Sequence, residues 1–277
     1  MGKIDIALDL SYNNENMRTA SRAIEIDVRT PNIRPIPVTT RLFRMGANLD
    51  AALDEAYRRQ PENKGLRIIS AGCSNGAEAD TLLSLSSQTN HETPISLLGL
   101  DRDKRMIKAA KVGHYTTYIS SDTDQHFYET EEVLKEGGFE TRFKRTGKTS
   151  GYFHIDAAPV RLTHDVSFVA DDIVKASLPE ADLVVVNNVM YHLAPDRATQ
   201  VVHSLAAVVM SRGVLSIGGS GVIPYMQPAV LHGQLMSYDA WLHETGNMLS
   251  SEYGFTPLPV QVADTPGVGQ STIFARD

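Results

Sequence analysis

The residues best suited to chemistry lie in Leu66-Arg-Ile-Ile-Ser-Ala-Gly-Cys-Ser-Asn-Gly-Ala-Glu-Ala-Asp-Thr-Leu-Leu83, where a short apolar run enters a turn bearing Gly72 and Gly76 and leaves as a helix. Ligands bind at such strand-to-helix turns, where backbone N–H groups converge. A second apolar run, Ile95-Ser-Leu-Leu-Gly-Leu100, ends on Asp101 about thirty residues later. In an open α/β sheet an acidic residue at that place meets a ribose. Together the two features read as a site for a nucleoside-containing ligand.

What the turn lacks narrows the ligand. A dinucleotide fingerprint needs three glycines, so that the helix N-terminus can approach a pyrophosphate; only Gly72 and Gly76 are present here. The helix then opens on Ala77 and Glu78. A carboxylate in the first helical turn repels a phosphate and suits the ammonium of an amino acid. An adenosine carrying an amino acid is S-adenosylmethionine.

The elements that must hold these residues alternate along the chain. The core reads as strand and helix in turn: Arg67–Ala71, Glu78–Ser86, Ile95–Asp101, Lys104–Val112, Ser167–Ala170, Asp182–Asn187, Pro195–Met210 and Gly213–Gly218. Such alternation predicts an α/β fold with a parallel sheet and helices on both faces. Ahead of it, Leu42, Phe43, Leu49, Leu53 and Tyr57 suit an amphipathic helix over Thr39–Arg59, stopped by Pro61 and Gly65. Thr256–Val262 and Ser271–Ala275 read as two strands joined by a turn at Pro266-Gly267. Two segments interrupt the alternation. Residues 113–166, with Gly137-Gly138 and a hairpin around Gly147 and Gly151, read as a small inserted subdomain. Residues 222–253 carry Leu231, Leu235, Tyr238, Trp241, Leu242 and Leu249 at roughly helical spacing, a helical insertion beside the acceptor site or a stripe of core packing. Residues 1–38, with Pro31, Pro35 and Pro37, read as an N-terminal arm to a domain over 39–277.

Composition excludes several classes. The 277 residues are 42% hydrophobic, and no apolar run is long enough to cross a bilayer, so a soluble protein without membrane contact is expected. A net charge of −7 and a pI near 5.7 argue against nucleic-acid binding, and the basic cluster Arg142, Lys144, Arg145 and Lys148 reads as a solvated loop. The single Cys73 and the absence of a signal-peptide pattern point to the cytoplasm. Nine histidines without ligand spacing and one cysteine leave no metal site to expect.

Beyond the turn itself, Thr39-Thr-Arg-Leu-Phe-Arg44, Ser70-Ala-Gly-Cys-Ser-Asn-Gly-Ala-Glu78, Leu100-Asp-Arg-Asp103 with Gly113-His-Tyr115, Asn188-Val-Met190 and Gly269-Gln-Ser-Thr-Ile-Phe274 follow one another in a specific order. In these segments the chain resembles the chemotaxis-receptor (CheR-type) protein-glutamate methyltransferases. The resemblance implies a class I methyltransferase, Rossmann-like sheet, mostly parallel with a C-terminal antiparallel strand, and S-adenosylmethionine as cofactor. It further implies that Thr40 and Arg44 reach the cofactor from the helix before the sheet, Arg44 near the methionine carboxylate or the transferring methyl. Gly72 would give the backbone room, Ser74 and Glu78 belong to the cofactor loop, and Asp101 would accept from both ribose hydroxyls. Asp172 and Ile173, in Ala170-Asp-Asp-Ile173, correspond to the segment framing the adenine, although Asp171 equally suits a helix N-cap. Asn187 and Asn188 would lie at the sheet edge where cofactor and acceptor meet.

The chain also departs from that family. At the strand end the family has arginine then asparagine, with a tyrosine four positions beyond; here stand Asn187, Asn188 and His192. These changes point to an acceptor other than a receptor glutamate, either a small molecule or a protein side chain. The sulfonium donor is already activated, so the protein must mainly align an acceptor and exclude water. A carboxylate acceptor needs no base, whereas a hydroxyl or amine could use His192 or Tyr191. His192 also suits a helix start before Pro195. Other readings are a receptor-type glutamate methyltransferase, a non-catalytic module holding the cofactor or its product, and a hydrolase using Ser74, because Gly72-Cys-Ser-Asn-Gly76 fits a nucleophile elbow. Gly147-Lys-Thr149 is no phosphate loop, since Arg142 stands where glycine is required.

Overall fold

The computed structural model describes residues 42, 46–61, 64–87, 94–120, 129–130, 144–149, 152–218, 229–231, 234–236, 238–258 and 271–277. The expected arm over residues 1–38, Thr40, Arg44 and the turn at Pro266-Gly267 lie outside these residues.

The strands, in chain order, are β1 (Leu66–Ala71), β2 (Ile95–Asp101), β3 (His114–Ser120), β4 (Glu129–Thr130), β5 (Lys144–Thr149), β6 (Tyr152–Asp156), β7 (Asp165–Ala170), β8 (Ala181–Asn187), β9 (Val209–Gly218), β10 (Ala229–Leu231), β11 (Gln234–Met236), β12 (Phe255–Leu258) and β13 (Ser271–Arg276). The helices are α1 (Gly46–Arg59), α2 (Ala77–Ser86), α3 (Lys104–Val112), the single turn α4 (Ala158–Arg161), α5 (Pro195–Val208) and α6 (Tyr238–Tyr253).

Among the described residues the main sheet has seven strands in the order β12-β13-β9-β8-β1-β2-β7. β7, β2, β1, β8 and β9 run parallel, and β13 lies antiparallel between β9 and β12. This is the mostly parallel sheet with an antiparallel C-terminal strand that the family resemblance implies. The chain builds outward from β1 to β2 and β7, then crosses to β8 on the other side of β1. The chain thus reverses direction between β1 and β8, and in open α/β sheets the crevice outside the carboxyl ends of the strands at such a reversal is where ligands bind.

Both faces of the sheet are covered. Leu66 and Ile68 of β1, with Leu183 and Val185 of β8, join a core that includes Leu49, Leu53, Leu82 and Leu83. Ile69 and Ala71, with Val184 and Val186, face a second core containing Val201, Val202, Leu205 and Trp241. Alternate residues of each strand enter opposite cores because strand side chains alternate. β8 is buried throughout.

Local differences from the sequence reading have physical causes. The first described helix starts at Gly46, and Leu42, buried, lies in a turn before it. Leu231 and Leu235 sit in the antiparallel hairpin β10–β11 rather than on a helix, and among the described residues of this segment the helix runs from Tyr238. Trp241 and Leu249 are buried in the second core, so that part of the stripe serves packing. Within 113–166, β3, β4, β5 and β6 form a separate sheet in the order β4-β3-β6-β5, in which β5 and β6 make the hairpin expected around Gly147 and Gly151. Lys144, Arg145 and Lys148 lie on strand β5 and not in a loop.

Candidate functional site

The turn after β1 departs sharply from ordinary backbone geometry. Gly72 and Gly76 have φ of 75° and 88°, and between them Ser74 has φ of 51°. A positive φ at a non-glycine residue needs local compensation. Asp101 supplies it: its Oδ2 accepts from the Ser74 N–H at 2.9 Å, while Oδ1 accepts from the Asp103 N–H at 2.8 Å. The Gly72 and Cys73 N–H groups both donate to the Leu100 carbonyl, at 2.7 and 3.0 Å. The tips of β1 and β2 are therefore one hydrogen-bonded unit.

Gly72 serves a contact the sequence does not reveal. A Cβ there would lie 2.2 Å from Cγ2 of Val189, the second residue after β8. The space beside Gly72 is occupied by protein. Asn188 is also left-handed, with φ of 58°, and its N–H donates to the Gly218 carbonyl at 2.8 Å, which joins the ends of β8 and β9.

Glu78, in the first turn of α2, links three elements. Its Oε1 accepts from the Ser70 hydroxyl of β1 and its Oε2 from the Asn187 amide of β8, both at 2.8 Å. Cys73 reports the resulting charge. Burial first, then the charges of Asp101 and Glu78, push its thiol far above the ordinary cysteine range. Cys73 is accordingly a neutral core residue and no nucleophile. Glu78 lies in the first turn of α2, and a carboxylate there disfavours a phosphate and favours a cationic group. Two ribose hydroxyls and an ammonium match this donor and acceptor set; a pyrophosphate does not.

On the far side of the sheet edge, the Asp171 N–H donates to the Asp101 carbonyl at 3.1 Å. Asp172 Oδ1 accepts from the Val174 N–H at 3.0 Å, and its carboxylate is paired with Arg197 of α5. That residue thus caps a turn and makes an ion pair, two contacts the sequence reading did not include. Ile173 packs against the second core. Met190–His192 form a 3-10 turn, with the His192 N–H donating to the Val189 carbonyl at 3.0 Å and the His192 side chain exposed. Tyr191 lies in the same turn, its side chain outside what the structure describes.

One cluster near the turn escaped the sequence reading. Asp80, fully buried, takes two bonds from Arg161 of α4, Nε at 2.7 Å and Nη2 at 2.6 Å, and a third from the Tyr115 hydroxyl. The one proton of the Tyr115 hydroxyl is shared between Asp80 and, as the longer arm at 3.3 Å, the Asn75 carbonyl inside the glycine turn. Burial pushes the Asp80 carboxyl up, and Arg161 and Tyr115 pull it down. Only the adjacency of Tyr115 to Gly113, in a segment already singled out, hinted at it. Among the described residues no group of His, Cys, Asp and Glu could hold a metal ion, and no helix is long and apolar enough to cross a membrane.

No curated protein matches the chain in sequence. Solved structures similar to it include magnesium protoporphyrin IX methyltransferase from Synechocystis with bound SAM, at 12% identity over 89% of this chain and 87% of that one, TM-score 0.46. An N-methyltransferase from Bradyrhizobium japonicum in complex with S-adenosyl-L-homocysteine is 14% identical over 82% and 86% of the two chains, TM-score 0.44. An O-methyltransferase family protein from Burkholderia thailandensis is 12% identical over 85% of this chain and 56% of that one, TM-score 0.48. The family described as CheR methyltransferase, SAM binding domain, matches residues 38–234, well over half the chain. With that match over well more than half of its length, the chain belongs to the CheR methyltransferase family and is an S-adenosylmethionine-dependent methyltransferase.

Proposed function

We propose that this enzyme methylates an oxygen acceptor, a carboxylate or a hydroxyl, on a small molecule or a protein side chain other than a chemoreceptor glutamate. The observation that carries the cofactor half of this reading is the position of Asp101. One of its oxygens takes the Ser74 N–H of the glycine turn and the other the Asp103 N–H just beyond β2, and a carboxylate oxygen has a further lone pair to offer. Asp101 accepts from both ribose hydroxyls. Glu78, held by Ser70 and Asn187, sets a negative potential for the ammonium. Gly72 and Ser74 form the floor of the turn. Asp172 and Ile173 border the adenine, Asp172 with its orientation held by Arg197. Thr40 and Arg44, which lie outside the described residues, are cofactor contacts on the strength of the family resemblance alone.

When bound, S-adenosylmethionine supplies a methyl group on a positively charged sulfur. The protein orients an acceptor lone pair toward it and keeps water out. Asn187 and Asn188 line the acceptor side of the crevice. With a hydroxyl acceptor, His192 or Tyr191 takes the proton; with a carboxylate acceptor no proton moves. A cytoplasmic setting suits the single, buried cysteine.

Calorimetric titration with S-adenosylmethionine, S-adenosylhomocysteine and NAD tests the assignment. The first two bind and NAD does not. Asp101→Ala weakens both by about a hundredfold, as expected for losing two hydrogen bonds to a charged acceptor, while its melting temperature verifies folding. Unchanged affinity in a folded Asp101→Ala protein overturns the role of Asp101.

A further inference from the structure

We infer that Tyr115 is a positioning residue for the cofactor turn: through Asp80 and the Asn75 carbonyl it holds the Ser74–Gly76 backbone in the shape that binds S-adenosylmethionine. The inference rests on the reading of the Gly72–Gly76 turn as the cofactor loop.

The cluster lies beneath that turn and spans three parts of the chain. Tyr115 is the second residue of β3 and pairs with Ile155 of β6, so it belongs to the inserted sheet. Its hydroxyl meets both Asp80, in the first turn of α2, and the carbonyl of Asn75, the residue between Ser74 and Gly76. Asn75 in turn accepts from the Ala77 N–H through Oδ1 at 3.3 Å, at the start of the same helix. Arg161 fixes the far side. Its guanidinium binds Asp80 through two nitrogens and lies 4.9 Å from the centre of the Phe168 ring. A Cβ on Gly113 would sit 3.0 Å from the Arg161 guanidinium carbon, and one on Gly76 would sit 3.2 Å from the Phe168 ring. The loop glycine, the ring and the guanidinium therefore stack in sequence under the turn.

A bare structural anchor would be satisfied by the Asp80–Arg161 pair. Tyr115 adds the longer arm of a shared hydrogen bond, to a loop carbonyl whose neighbour, Ser74, has a left-handed backbone. Such a conformation persists only when its surroundings over-determine it. Asp101 holds Ser74 from the ligand side, and Tyr115 holds Asn75 from the core side. Removing the phenol hydroxyl leaves Asp80 paired and the core filled, but it frees one end of the turn.

The test compares two variants that each lose one tyrosine hydroxyl at an end of the same helix. Tyr115→Phe loses the bond at the start of α2; Tyr57→Phe loses the 2.7 Å bond to Ser86 at its end. Binding of S-adenosylmethionine and S-adenosylhomocysteine is titrated calorimetrically well below both melting temperatures, alongside wild type and Asp101→Ala. Tyr115→Phe is expected to weaken both ligands by about tenfold and to speed amide exchange at residues 74–77, while Tyr57→Phe binds as wild type. If both variants melt lower and both bind as wild type, Tyr115 is only structural and the inference is overturned. If Asp101→Ala binds as wild type, the cofactor-loop reading itself fails, whatever Tyr115→Phe does.

Discussion

Gly72 and Val189 interlock: a Cβ added to the glycine would meet Val189 Cγ2 at 2.2 Å. The two residues follow β1 and β8, the neighbouring strands at which the chain reverses direction across the sheet. This contact keys the glycine turn to the turn that carries Asn188 and His192, so the two turns are held in one geometry.

Gly72→Ala should therefore cost about 3 kcal/mol, combining a side chain at positive φ with an overpacked contact. Urea denaturation reads the loss. Val189→Ala in the same background should recover part of it, a coupling that a double-mutant cycle resolves. Additive costs would mean the contact is not what limits this position.

Glu78→Gln removes a charge and keeps the shape. The amide oxygen can still accept from Ser70, but its nitrogen then faces the Asn187 amide, donor against donor. Affinity for S-adenosylmethionine should fall about tenfold. A desamino analogue of S-adenosylhomocysteine, lacking the ammonium, should lose much less. Equal losses for the two ligands would remove Glu78 from ammonium recognition.

His192→Ala separates the two acceptor chemistries. With a hydroxyl acceptor the single-turnover rate should fall by about a hundredfold, the usual contribution of a general base, and cofactor affinity should stay as in wild type. A rate that does not change takes the base role from His192 and favours a carboxylate acceptor.

His164 gives the fold a pH dependence away from the site. Its Nδ1 accepts from the Ile95 N–H at 3.3 Å, and burial holds its pKa below the ordinary histidine value. The unfolded chain therefore binds the proton more readily than the folded one, and stability falls as pH drops below about 6.5. Melting temperatures between about pH 7.5 and 5.5 should decline more in wild type than in His164→Asn, whose side-chain oxygen can accept the same bond. Parallel declines would remove His164 as the cause.

The sheet and the glycine turn were legible because their signals are local. The apolar run Leu66–Ala71, the glycines that follow and the acid at the tip of β2 all lie within about forty residues. The spacing of strands and helices alone requires a parallel sheet, since parallel strands need crossovers. The helix before the sheet was less legible: Leu42 is buried without being helical, because burial and helical period coincide in a short apolar stretch.

What only the tertiary structure decided is which side chains meet. Glu78 finds Asn187 because the crossover after β7 returns the chain to the other flank of β1. Asp172 finds Arg197, and Asp80 finds Tyr115 and Arg161, on elements whose neighbourhood follows from sheet order. Spacing along a chain encodes the period of an element and the chemistry of a turn. It does not encode which elements become neighbours, because that choice is made by the apolar faces of the whole sheet burying themselves together.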